Sequence, residues 1–104
     1  MVYAIRSAEY APGKRKEALE FLKKVVSYEK THGVEVEILR TTTPNAGQQS
    51  RLWTMHKYSS MVEMAEDEQK NREDAEWMET VRAASAPGGC LVHNSLTRSN
   101  FEVL

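Results

Sequence analysis

Three side chains combine reactivity with places where the chain should be ordered: Arg6, His56 and Tyr58. Arg6 falls inside the stretch Val2 to Tyr10, which reads as a strand. A guanidinium keeps its proton, so burying it demands a carboxylate or an anionic ligand. Either it pairs with Glu9, Glu35 or a helix carboxylate, or it holds a carboxylate, phenolate or enolate. His56 and Tyr58 stand two apart, which on a strand puts them on one face, ~7 Å from each other. An imidazole titrating near neutrality shuttles protons, and a phenol donates to a developing oxyanion. The plainer reading is a His satisfied by a backbone carbonyl beside a Tyr packed in the core. Trp53, Trp77, Met55, Met61, Met64 and Met78 supply apolar, adaptable walls for a pocket with Arg6 at its polar end. They would serve equally as core or dimer interface.

No set of metal ligands is expected from the spacing. His93 falls on the expected fourth strand, and in the sheet order 4-1-3-2 the first strand separates it from His56. His32 abuts Gly33 at a helix end, where a protonated ring suits the helix dipole. Cys90 is the only cysteine, so no intrachain disulfide forms and a reducing cytoplasm fits. A free Cys is more often a small buried apolar residue than a nucleophile.

The elements that would position these residues follow from apolar periodicity. Val2 to Tyr10 alternates, with Tyr3, Ile5 and Ser7 on one face and Val2, Ala4, Arg6 and Ala8 on the other. Pro12-Gly13 interrupts it and opens a helix from Lys14 to His32, closed by Gly33. That helix carries Ala18, Leu19, Phe21, Leu22, Val25, Val26 and Tyr28 as a broad apolar stripe. Val34 to Thr43 is a second strand and Pro44 to Ser50 a loop. Arg51 to Tyr58 is a third strand, with Leu52, Thr54, His56 and Tyr58 on one face and Trp53 and Met55 on the other. Ser60 and Glu63 form a capping box that starts a helix. The run from Glu66 to Glu76 is nearly all polar, with six acids against two bases. Helical apolar spacing thins across it and resumes at Trp77, which reads as a break between two helices. "APGG", from Ala86 to Gly89, stops the second. Cys90 to Arg98 is read as the fourth strand, leaving "SNFEVL" as a tail that frays or packs on a neighbour. The order β-α-β-β-α-β is the ferredoxin-like arrangement, one domain over residues 1–104. Its helices cover one sheet face, so the other face calls for a partner, most simply in a twofold dimer.

Three stretches together resemble the NIPSNAP-like branch of the dimeric α+β barrel superfamily. "IRSAEYAPGKRKEALEFL" is similar to the family's opening, with Arg6 seven residues before Gly13. "LWTMHKYSSM" is similar to its third strand, ending in a Tyr, a polar pair and a helix start. "NREDAEWMETVRAA" looks like an Asp-x-Glu-Trp signature opening the last helix. His56 replaces an aromatic often found there, and Ala75 a Pro. The resemblance implies small ferredoxin-like protomers pairing sheet against sheet. Related families include cofactor-free monooxygenases, haem-degrading enzymes and small-molecule isomerases or lyases. The haem-degrading relatives carry a first-strand Asn that is missing here, so haem chemistry is not expected.

A net charge of −1 argues against a nucleic-acid binder. No apolar run approaches the ~20 residues of a membrane helix, and the N-terminus lacks a signal-peptide core. The expectation is therefore a cytoplasmic homodimer with a small-molecule pocket, working without metal or organic cofactor. If catalytic, it would perform proton transfer or oxygenation of an enolisable or phenolic substrate. Arg6 would hold the anion, His56 would be the base and Tyr58 the oxyanion donor. Trp53, Met61, Met64, Trp77 and Met78 would form the walls. The alternatives are a non-catalytic carrier of an amphipathic acid such as a fatty acid, and a purely structural dimeric module.

Overall fold

The computed structural model describes residues 1–42 and 50–104. Seven elements follow in order: β1 (Val2–Glu9), α1 (Arg15–Thr31), β2 (Glu35–Leu39), β3 (Arg51–Tyr58), α2 (Met61–Glu73), α3 (Ala75–Ser85) and β4 (Thr97–Glu102). The sheet is antiparallel with order β2-β3-β1-β4. This is the ferredoxin-like α+β arrangement, with the expected sheet order and a second helical segment broken in two.

Strand alternation builds the core as the sequence requires. Val2 and Ala4 face the helices from β1, Val36 from β2 and Tyr58 from β3, and they cluster with Val34, with Met64 of α2 and against Val26 of α1. The register pairs Val2 with Tyr58, Ala4 with His56 and Arg6 with Thr54. Arg6 and His56 thus lie on the covered face.

The helix ends are set by local chemistry. Gly33 closes α1 at φ +76°, a backbone that residues with a Cβ rarely adopt. Its N–H bonds to the Lys30 carbonyl and that of Val34 to the Glu29 carbonyl, a Schellman closure. Ser60 caps α2 by accepting from the Glu63 N–H, and Glu63 reaches back to the Ser59 N–H. Asp74 ends α2 in an extended conformation (φ −85°, ψ 95°) and caps α3 in the same stroke, its Oδ1 accepting from the Trp77 N–H at 3.0 Å.

Two boundaries differ from expectation. The fourth strand is Thr97–Glu102, not Cys90 to Arg98. Residues 90–96 instead turn beneath β1, with a single bridge between Tyr10 and Leu91 and with Asn94 in the left-handed region at φ 61°. The supposed tail is the strand: Ser99 pairs with Ile5 and Phe101 with Tyr3. β4 is an exposed edge strand, so burial imposes no apolar alternation on it and long-range pairing alone selects its register. β2 ends at Leu39, short of Thr43. Thr43 and the expected loop, apart from Ser50, lie outside the described residues.

Tyr3, Ile5, Trp53, Met55, Leu39 and Phe101 lie on the sheet face that bears no helix. Polar pairs rim it. Lys57 lies 3.5 Å from Glu35 and 3.3 Å from Glu37 at one end, and Arg51 lies 3.8 Å from Glu9 at the other. Among the described residues, no helix is long and apolar enough to cross a membrane.

Candidate functional site

A cavity of about 260 Å³ opens between the covered sheet face and α2 and α3. Arg6, His56 and Tyr58 form its floor, Trp77, Met78 and Val81 its apolar wall, and Glu68, Arg72 and Arg98 its polar rim. β1 delivers Arg6 and β3 delivers His56 and Tyr58 because their positions share one parity of the pleat. The Arg6 guanidinium donates to Glu68 at 2.9 Å and to the Asn100 side chain at 3.1 Å. The partner is thus a helix carboxylate, one of the alternatives open in the sequence. Three guanidiniums, those of Arg6, Arg72 and Arg98, share the cavity with one carboxylate, Glu68. Arginine thus outnumbers carboxylate along its lining, with Arg6 half-buried and Arg72 and Arg98 exposed at the rim.

His56 differs from an ordinary neutral-range base. Burial, reinforced by the Arg6 charge, lowers its pKa to about 4, against the pull of Asp67. It is a neutral imidazole at pH 7, with Nε2 3.1 Å from the Thr54 hydroxyl. Tyr58 is buried, and its hydroxyl donates to Asp67 Oδ2 at 2.7 Å. Burial and that bond to Asp67 raise the phenol pKa further. Its proton is committed to Asp67, which corrects the expectation that Tyr58 serves an oxyanion.

Trp77 is held by the Asp-x-Glu-Trp stretch itself. Asp74 Oδ2 accepts from the Tyr28 hydroxyl at 2.7 Å while its other oxygen caps α3. The Tyr28 ring then lies parallel to the Trp77 indole, with centroids 4.0 Å apart and planes within 6°. Phe21 extends the stack at 6.5 Å. The sequence motif is a clasp between α1 and α3, and one side of the clasped indole faces the cavity.

Three of the expected wall residues lie elsewhere. Trp53 stands on the uncovered sheet face, because its position has the opposite parity to His56. Met61 begins α2 and is 51% exposed. Met64, nearly a turn later, points into the core cluster and not into the cavity. His93 is not on a strand; its Nδ1 lies 3.0 Å from the Ser85 carbonyl in the turn after α3.

A second cluster lies behind Tyr58, where none was expected. Glu29 is fully buried at the end of α1, with Asn71 donating to its Oε1 at 2.6 Å. His32 Nδ1 lies 2.9 Å from Asp67 Oδ1, so the ring does more than sit at a helix end. The capping there is done by backbone groups. Burial and the adjacent Asp67 push the Glu29 carboxyl upward. Burial works in the same direction on Asp67, but hydrogen bonds from Glu29, Tyr58 and His32 outweigh it and hold Asp67 below the usual carboxylate range. Glu29, His32 and Asp67 each present one ligand atom, all within 4.8 Å of one another. No spacing along the chain announces this cluster, which only the folded chain assembles. The signal available was Glu29-x-x-His32, two side chains on one helical face; Asp67 lies too far along the chain to be tied to them by spacing.

No family model matches the chain, and no curated protein matches it. Solved structures do. An uncharacterised NIPSNAP domain protein from Burkholderia xenovorans superposes with a TM-score of 0.72 at 13% identity, over 100% of this chain and 95% of that one. Protein Atu4242 from Agrobacterium tumefaciens gives 0.67 at 16% identity, over 98% and 92%. Rv0793 from Mycobacterium tuberculosis gives 0.66 at 13% identity, over 99% and 94%. The chain therefore has the fold of a NIPSNAP domain protein along its whole length, as its motifs imply.

Proposed function

We propose that this protein binds a small organic anion with an apolar body, a carboxylate, phenolate or enolate, in the cavity between Arg6 and Trp77. The observation that carries the reading is the imbalance of three guanidiniums over one carboxylate against a wall of Trp77, Met78 and Val81. A fixed, partly desolvated cation such as Arg6 attracts an anion more strongly than it would in water. At about 260 Å³ the cavity is smaller than the roughly 300–1,000 Å³ typical for drug-sized ligands. That favours a compact aromatic acid over a long-chain fatty acid.

The chemistry such a site supports is proton transfer at a carbon or oxygen next to the bound group. Arg6 stabilises the enolate or phenolate as it forms. Burial, together with the same charge, keeps His56 neutral beforehand, so the base is free to accept. Once the anion forms, its charge offsets Arg6 and favours protonation of the ring. His56 and the substrate thus exchange a proton in a coupled step, with no part for the Tyr58 hydroxyl.

Calorimetric titration tests the reading with three probes. Benzoate is expected to bind, benzamide at least tenfold more weakly, and palmitate not at all within the protomer cavity. Equal affinities for benzoate and its neutral amide would remove the arginines from recognition.

The homodimer belongs to the same proposal, in a reducing cytoplasm suited to lone Cys90. Its support is the apolar centre and charged rim of the uncovered sheet face. Sedimentation equilibrium at micromolar concentration is expected to give twice the protomer mass of 11.9 kDa. Trp53→Glu, which puts a charge at the centre of that face, is expected to give the protomer alone. A wild-type protomer at these concentrations would contradict sheet-to-sheet pairing.

A further inference from the structure

We propose that Glu29, His32 and Asp67 form a binding site for a first-row divalent cation such as Zn²⁺. The site is separate from the anion cavity and is reached from the opposite side of Tyr58. A cleft of about 190 Å³ opens from solvent onto His32 and Asp67, with Glu63 and Glu66 on its walls beside Lys57 and Lys70.

Four observations converge on a cation. The donor set is one imidazole and two carboxylates, the nitrogen-oxygen mixture that Zn²⁺ and its neighbours accept, whereas Mg²⁺ prefers all-oxygen sites. The ligand atoms lie within 4.8 Å of one another, and the His32–Asp67 pair at 2.9 Å. A tetrahedral ion with bonds of ~2.0–2.1 Å spaces its ligands ~3.3 Å apart, so side-chain adjustments of an ångström or so complete the site. Glu29 is 2% exposed, Asn71 fixes its Oε1, and its Oε2 has no partner except the Asp67 carboxylate, with which it shares a proton. Two buried carboxyl groups that face each other need a proton or a cation between them, and a divalent ion can take the proton's place. Finally, Glu29 and His32 lie at the C-terminal end of α1, where the partial negative charge of the helix favours a positive ion.

The surroundings hold the ligands in place. Tyr58 donates to Asp67 Oδ2, leaving Oδ1 to face the ion. The Tyr28 ring packs edge-on against His32, with centroids 4.7 Å apart. Such outer partners orient metal ligands and are part of the affinity. Two carboxylates balance the charge of a divalent ion. Coordination through His32 Nδ1 replaces the hydrogen bond to Asp67 Oδ1, with the ring proton on Nε2, and the Glu29 carboxyl releases to solvent the proton it shares with Asp67. A water completes the coordination from the cleft side.

The test uses the full chain, stripped with a chelator and titrated with Zn²⁺ by calorimetry, with Mg²⁺ as the contrast. One Zn²⁺ per protomer is expected, with Mg²⁺ at least a hundredfold weaker. Glu29→Gln is expected to lower Zn²⁺ affinity at least tenfold. Because Glu29 is buried, His32→Gln, at a partly exposed position, gives a second test with the same expected loss. His93→Gln is expected to leave affinity unchanged. Co²⁺ is expected to shift the ring protons of His32 in the NMR spectrum while sparing His93. No Zn²⁺ binding by the wild type, unaltered affinity in the His32 variant, or a Co²⁺ shift centred on His93 would each overturn the proposal.

Discussion

Trp77→Ala is expected to destabilise the protein by about 2–4 kcal/mol, the lower part of the range for losing a large aromatic side chain, since the indole is half-buried. The effect has three sources. The stack on Tyr28 at 4.0 Å and its extension to Phe21 disappear. The cavity loses its wall. Tyr28, still tied to Asp74 through its hydroxyl, is left with an uncovered face. Urea unfolding at pH 7 measures the change as a lower midpoint at unaltered slope. Trp77→Phe keeps a ring in the stack and is expected to recover more than half of the loss. If Trp77→Ala cost less than about 0.5 kcal/mol, as ordinary surface substitutions do, the clasp between α1 and α3 would carry no weight.

Arg6→Ala is expected to weaken benzoate binding by about 10–100-fold, since hydrogen bonds to charged partners contribute roughly 1.5–3 kcal/mol. The substitution also frees Glu68 from its 2.9 Å ion pair. That carboxylate is 29% exposed and is able to turn to water, so the fold is expected to survive with a modest loss. Glu68→Gln provides the complementary result. Glu68 competes with an incoming anion for Arg6, and neutralising it is expected to tighten benzoate binding several-fold. Opposite effects from the two variants separate recognition by Arg6 from general damage to the pocket. Weaker binding in both would point to damage.

Much of this site can be read along the chain. The alternation of β3 places His56 and Tyr58 on one face, and the parity of β1 places Arg6 on the same face; both hold in the sheet. The Asp-x-Glu-Trp stretch marks the helix break, and Asp74 is both the end of α2 and the cap of α3. The polar run before it is a solvated helix, apart from Asp67 and Asn71, which turn inward toward Glu29, and Glu68, which meets Arg6. Those contacts are what the sequence conceals. Glu29 looks like one more charge on an amphipathic helix, because its partners lie about forty positions away. The commitment of the Tyr58 hydroxyl to Asp67 and the depressed His56 pKa arise the same way, from burial and neighbours that only the closed fold supplies. β4 lies mostly outside the expected span for a related reason. An exposed edge strand is chosen by its partner, and its own pattern is uninformative.

An anion seated against His56 and Arg6 must change the titration of His56, and that titration is the most direct test. The ring resonances are followed by NMR from pH 7.5 to 3.5, with and without saturating benzenesulfonate, an aromatic anion that keeps its charge throughout. In the free protein the midpoint is expected at about 4. A bound anion offsets the positive charge of Arg6 and stabilises the imidazolium, so the midpoint is expected to rise by about one unit or more. By linkage, benzenesulfonate affinity then increases as pH falls through the His56 range. A midpoint unmoved by the ligand, with no perturbation of the His56 or Trp77 signals, would contradict the account.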